Sequence, residues 1–359
     1  MFNALQACRA LAAILVVLQH TNHSIFALDK YFAHEPAGRL FACAFAAIDF
    51  FYVLCGFIML HVHTKDIDQP RELGSYLWKR FSRIYLFYWV VLAVTLPVYF
   101  LVPSFGVGFE RDPDVILRSF LLLPHPEFHM VFGIAWTLVY EVLFYLLFGL
   151  LILNKRLGIA VFLVWGCLVL AHPLFVNHPW KFVFSDHHLR FLAGMGVWMV
   201  LNRWQIPVPR LVAGIGAALF LGAGLCEDFY GPLGNFTRIF WFTLGSAILI
   251  IGLVESERSG LIQAPRWLVY LGDAAYSIYL VHFLALSVFA KVSKAMLLDH
   301  YLPSMVLYLL FVIGSIGFGC LCYQFVEHPL HRWSRQFFAR AKSPIPAAVL
   351  PEPEIRKAA

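Results

Sequence analysis

The chain of 359 residues is 61% hydrophobic, 17% aromatic and only 13% charged, with a mean hydropathy of +0.75. A water-soluble domain of this size needs far more charge on its surface, so the composition excludes one and leaves a polytopic membrane protein. The net charge of +6 is scattered among loops, where it sets topology and gives no sign of a nucleic-acid partner.

Apolar segments run at about 5–26, 41–62, 81–102, 131–153, 157–174, 189–202, 210–226, 236–254, 270–290 and 303–325, most of them near the length that crosses a bilayer. The expected fold is therefore all-α, a membrane helix bundle of about ten spans occupying residues 1–335. The first segment lacks a basic leader and a small-residue cleavage site, so it reads as a retained helix. Of the 27 lysines and arginines, 17 fall in one set of alternate loops and the C-terminal tail, 9 in the opposite loops, and Arg9 within the first span. The positive-inside rule then places both termini in the cytoplasm. The 336–359 tail, rich in Pro, Ala and charge, is expected to be disordered. The connection after the third span carries Pro103, Pro113, Pro124 and Pro126 and includes a short interfacial helix starting near Asp114. No fixed internal period is present, which weakens a transporter built from inverted halves.

Ionisable residues inside apolar spans are costly and mark function by default. In the first span Arg9 and His20 are eleven residues apart, about three helical turns, so they share a face at a separation of about 16 Å. That geometry suits a long, thin, anionic ligand. The second span opens Asp49-Phe-Phe-Tyr-Val-Leu-Cys-Gly-Phe57, which reads equally as a helix-packing glycine beside an interfacial acid or as a polar site. Arg80 and Arg83 are neighbours on one helical face; they read either as positive-inside anchors or as a phosphate clamp. Glu141 follows Trp136-Thr-Leu-Val-Tyr and falls near mid-membrane, where a carboxylate must be paired or protonated, whether for structure or catalysis. Tyr276, Tyr279 and His282 form a polar stripe at three-residue spacing, and His282 alone would read as a hydrogen-bonded structural histidine.

The remaining chemistry is mostly negative. The seven cysteines lie largely in apolar stretches without a CxxC pair and read as small buried hydrophobes. Fifteen histidines include close pairs, but none has a metal-ligand spacing, so no metal is expected. Neither a Walker motif nor a GxGxxG is present.

Taken in order, Arg9-x10-His20, Asp49-Phe-Phe-Tyr-Val-Leu-Cys-Gly-Phe57, Arg80-x-x-Arg83, Trp136-Thr-Leu-x-x-Glu141-x-x-Phe-Tyr145, Tyr276-Ser-Ile-Tyr279-Leu-x-His282 and Glu327-x-Pro329 resemble the acyltransferase family 3 membrane proteins over about residues 3–333. Within that family the chain looks most like the O-acetyltransferases of exopolysaccharide production. The resemblance implies about ten spans in a bacterial inner membrane, acetyl-CoA as cytoplasmic donor without a tightly bound cofactor, and a glycan hydroxyl as acceptor. It implies Arg9 and His20 as the catalytic element and Arg80 and Arg83 as donor-binding residues. Cys55 departs from the serine usual in relatives, which favours packing at that position. The resemblance says nothing of oligomeric state.

From these residues the expected chemistry is acyl transfer with His20 as general base, or through an acyl-histidine, with Glu141 in support. Tyr276, Tyr279, His282, Asp49 and Trp136 are candidates for contacting the acceptor or the oxyanion. The alternative is a transporter or flippase for a lipid-linked glycan, and a third reading is a non-catalytic scaffold.

Overall fold

The computed structural model describes residues 2–342, and those residues are helical with no β-strand. Helix α1 (Asn3–Gln19) begins where the backbone amides of Asn3 and Ala4 donate to the Glu257 carboxylate at 2.8 and 2.7 Å, which satisfies a helix N-terminus from a distant residue. It passes without a break into a wider π-helical turn, His20–Phe26. Helices α2 (Ala47–His63) and α3 (Leu73–Leu101) follow, then α4 (Pro113–Leu121) in the proline-rich connection. Asp112 caps α4 through the Asp114 amide, with Pro113 in the first turn where no amide donor is needed.

Helices α5 (Trp136–Leu153) and α6 (Lys155–Leu170) are separated by Asn154 alone, whose side chain accepts from the Leu157 amide and starts the second helix. After the short α7 (Trp180–Val183) come α8 (His187–Arg203), α9 (Pro209–Tyr230) and α10 (Asn235–Arg258). Helix α11 (Arg266–Asp273) leads at Ala274 into α12 (Ala275–Ala295), so the expected ninth span is two helices. Short α13 (Leu298–Tyr301), α14 (Ser304–Cys322), a second π-helical turn (Tyr323–Glu327) and α15 (His328–Lys342) complete the chain. Most of the segment expected to be a disordered tail, 336–359, lies outside the described residues, and its first part belongs to α15.

Among the described residues, eight helical segments are long and apolar enough to cross a membrane, against the ten expected. The ten apolar stretches all carry helix, but α6 and α8 have 16 and 17 residues. At ~1.5 Å per residue each is about 25 Å long, short of a hydrocarbon core of ~30 Å.

Packing centres on α1, which touches α2, α10, α11, α12 and α14. Two close approaches set the frame. Gly56 on α2 lies against the Phe191 carbonyl of α8, where an added Cβ would collide with backbone, and Gly194 returns the contact against Val53. Gly272 allows α11 to press on the backbone of α1 at Gln6.

Candidate active site

A cavity of about 480 Å³ opens between α1, α2, α3, α5 and α12. Arg9, Arg80, Arg83, Glu141, Tyr276 and Tyr279 all line it, so six of the ten residues singled out in the sequence meet in one place.

One end of the cavity is basic. Arg9 Nη1 donates to Gln6 Oε1 at 2.8 Å, and Gln6 Nε2 in turn donates to Asp273 Oδ1. The Gly272 contact is what brings Asp273 within reach of α1. Arg83 Nη1 donates to Glu327 Oε1 at 2.9 Å, while Ser277 Oγ donates to the other oxygen of Glu327 at 2.6 Å. Glu327 is fully buried, so this ion pair ties α3 to the end of α14 and to α12. Arg80 Nη2 donates to His63 Nε2 at 2.8 Å, and His63 Nδ1 donates to Asp66 Oδ2 at 2.6 Å. The two guanidiniums also face rings, Arg80 over Tyr145 and Arg83 over Tyr276, each 5.5 Å from the centroid. Lys79, His331 and Arg335 line the same end, the last two on α15.

The middle of the cavity holds Glu141, which accepts from the Tyr145 hydroxyl and lies 3.8 Å from Cys55 Sγ. These are its hydrogen-bond partners, so the support expected of Glu141 does not come through a direct contact with His20. Tyr276 donates its hydroxyl proton to the Ile84 carbonyl at 2.8 Å. The Tyr279 hydroxyl lies 2.9 Å from Thr137 Oγ1 and 3.1 Å from the Ile134 carbonyl, and Thr137 Oγ1 is also 3.1 Å from that carbonyl. The two hydroxyls thus reach each other and one shared carbonyl, so their protons can be redistributed among three oxygens at the cavity wall.

His20 does not line the cavity. It starts the wide turn that follows α1, a rare helix geometry that often marks functional positions. Its ring meets His282 Nε2 through Nδ1 at 3.2 Å. His282 is three residues beyond Tyr279 on α12, so the cavity-lining tyrosine and the partner of His20 are one helical turn apart.

Asp49 and Trp136 lie elsewhere. Asp49 is buried in an ion pair with Arg190 of α8 and does not line the cavity. Trp136 packs its ring against Tyr140 and His187, 5.9 and 5.4 Å between centroids. Conversely, Gln6, His63, Thr137, Asp273 and Arg335 were not singled out as site residues in the sequence, although Thr137 stands inside the Trp136-Thr-Leu motif. Glu327 stood out only as part of a helix-ending motif.

Residues 2–324 match the acyltransferase-domain family. The exopolysaccharide production protein ExoZ of Rhizobium meliloti (strain 1021) is 27% identical over 328 residues, covering 85% of this chain and 95% of that protein. Protein 2 in the picA locus of Rhizobium radiobacter is 27% identical over 118 residues, 33% of this chain and 54% of that one. No solved structure matches. A family match over almost the whole length, on a bundle of apolar helices that gathers the motif residues around one cavity, makes this chain an integral membrane protein of the acyltransferase family 3.

Proposed function

We propose that the protein transfers an acetyl group from cytoplasmic acetyl-CoA to a hydroxyl of an exported polysaccharide. The observation that carries this reading is the cavity itself, which gathers Arg9, Arg80 and Arg83 at its basic end and is lined by Tyr279, one helical turn from the His282 that meets His20. The basic end lies with the N-terminus and the start of α15, and the excess of basic residues in the loops on that side supports a cytoplasmic orientation in a bacterial plasma membrane. The ExoZ likeness supports a polysaccharide as acceptor.

In this reading the donor's phosphates lie at the basic end, held by Arg80 and Arg83 with Lys79 and Arg335 beside them. Arg83 is already balanced by Glu327, so Arg80 carries the larger share. The pantetheine arm follows the cavity past Arg9 and Glu141 and brings its thioester toward Tyr279. His20 removes the proton of the acceptor hydroxyl as its oxygen attacks the thioester carbon. The Tyr279–Thr137 hydroxyl pair donates to the developing oxyanion, a better candidate than Tyr276, whose proton is committed to Ile84. The carbon–sulfur bond then breaks, and the imidazolium returns its proton to the leaving thiolate.

The test uses purified protein in nanodiscs with radiolabelled acetyl-CoA and a cell-envelope glycan fraction. Wild type should release coenzyme and label the glycan, and His20→Ala should lose on the order of 10²–10⁴ in rate, the usual contribution of a positioned acid–base group. A His20→Ala variant as active as wild type would remove the mechanism. A wild type that consumes no donor would overturn the enzyme reading and bring the glycan transporter forward.

A further inference from the structure

A neutral imidazole offers one lone pair, and the nitrogen that holds it decides whether the ring works as a base. The partners of the two rings fix that choice. His282 is fully buried, with Nδ1 2.6 Å from the Tyr279 carbonyl and 3.2 Å from the Ile278 carbonyl. A carbonyl oxygen only accepts, so Nδ1 of His282 carries the proton and its Nε2 is a bare acceptor. That acceptor lies 3.2 Å from His20 Nδ1, which is also 3.1 Å from the Val16 carbonyl. Both neighbours of His20 Nδ1 are acceptors. The proton of His20 therefore belongs on Nδ1, and its Nε2 keeps the lone pair. The rings are tilted at 42° with centroids 5.1 Å apart, and Phe283 sits edge-on to His20 at 5.7 Å, which holds the plane.

We infer that His282 is a positioning residue, which together with the Val16 carbonyl holds the proton of His20 on Nδ1 and leaves the lone pair on Nε2 for the reaction. It acts through His20 and contacts neither donor nor acceptor. The inference rests on the reading of His20 as the base, and it differs from the expectation that His282 meets the acceptor.

The experiment is nitrogen NMR on full-length protein labelled with ¹⁵N-histidine in nanodiscs at neutral to mildly alkaline pH, with the His20 signals assigned by their loss in His20→Ala. The expected result is a protonated Nδ1 and an unprotonated Nε2. A proton on Nε2 in wild type would overturn the inference. Kinetics give a second arm. His282→Met fills the space without an acceptor and leaves the Val16 carbonyl alone on Nδ1, so turnover should fall by about tenfold, well short of the roughly 10⁴-fold cost of a catalytic imidazole in the wrong tautomer, with an unchanged KM for acetyl-CoA. His282→Gln keeps an amide oxygen that accepts from His20 and should recover most of the rate. A His282→Met enzyme as fast as wild type, or a Gln variant as slow as Met, overturns the assignment. Should His282→Met fail to fold, the wild-type tautomer decides alone. A wild type with the proton on Nδ1 but no consumption of acetyl-CoA would sink the proposed function and leave the His20–His282 arrangement supported.

Discussion

The two faces of α2 carry neighbouring residues of one motif to opposite purposes. On one face Asp49 pairs with Arg190, and Gly56 lies flush against the α8 backbone at Phe191. On the other, Tyr52, Cys55 and Met59 line the cavity. The first face has no room and no unbalanced charge, and the second borders open volume and the carboxylate of Glu141. Contiguity in sequence therefore says little about shared purpose on a helix, where each step of one residue turns the side chain by about 100°. Asp49 and Gly56 hold the bundle, while Cys55 belongs to the site.

That contrast predicts different failures at adjacent positions. The largest effect should come from Gly56→Ala, whose new methyl falls on the Phe191 carbonyl. Two packed backbones must separate, so we expect little folded protein, seen as loss of the monodisperse peak in detergent chromatography. A well-behaved Gly56→Ala protein would break the comparison. Asp49→Ala comes next, because it leaves Arg190 buried without a counter-charge, a change that costs about 3–5 kcal/mol. Its thermal midpoint should fall sharply, and the double variant Asp49→Ala/Arg190→Met should recover much of the loss. Failure of that rescue would mean that Asp49 does more than balance Arg190. The smallest effect belongs to Cys55→Ala, which gives up only long sulfur contacts to Glu141 and Tyr145, at 3.8 and 3.7 Å. Folding should cost about 1 kcal/mol or less, with any change confined to acyl-transfer kinetics. A melting curve displaced as far as that of Asp49→Ala would erase the distinction between the faces.

The same logic explains what was legible beforehand. Arg9, Arg80, Arg83, Glu141, Tyr276 and Tyr279 stood out because charge and hydroxyl groups are expensive in an apolar span, and they do share a cavity. Asp49 gave the same signal for a structural reason, since a buried ion pair and a site carboxylate look alike in one dimension. The pairings themselves were not legible. Gln6 and Asp273 are 267 residues apart and Arg83 and Glu327 are 244 apart, and no local spacing encodes them. The span count was legible only in part, because eight of the expected segments reach the length of a membrane span among the described residues while α6 and α8 stop short, at Leu170 and Arg203.

The Arg83–Glu327 pair has a bearing on how the protein is made. Helix α1 leaves the ribosome first and brings Arg9 and His20 with it, whereas His282 and Glu327 are supplied by the last helices to be synthesised. For most of translation His20 and the Arg83 of α3 wait for their native partners, and contacts of such long range form late. The cavity cannot be complete until α14 has been inserted and its closing carboxylate has found α3. A chain that stops before Glu327 would hold nearly every span and still lack a finished active site.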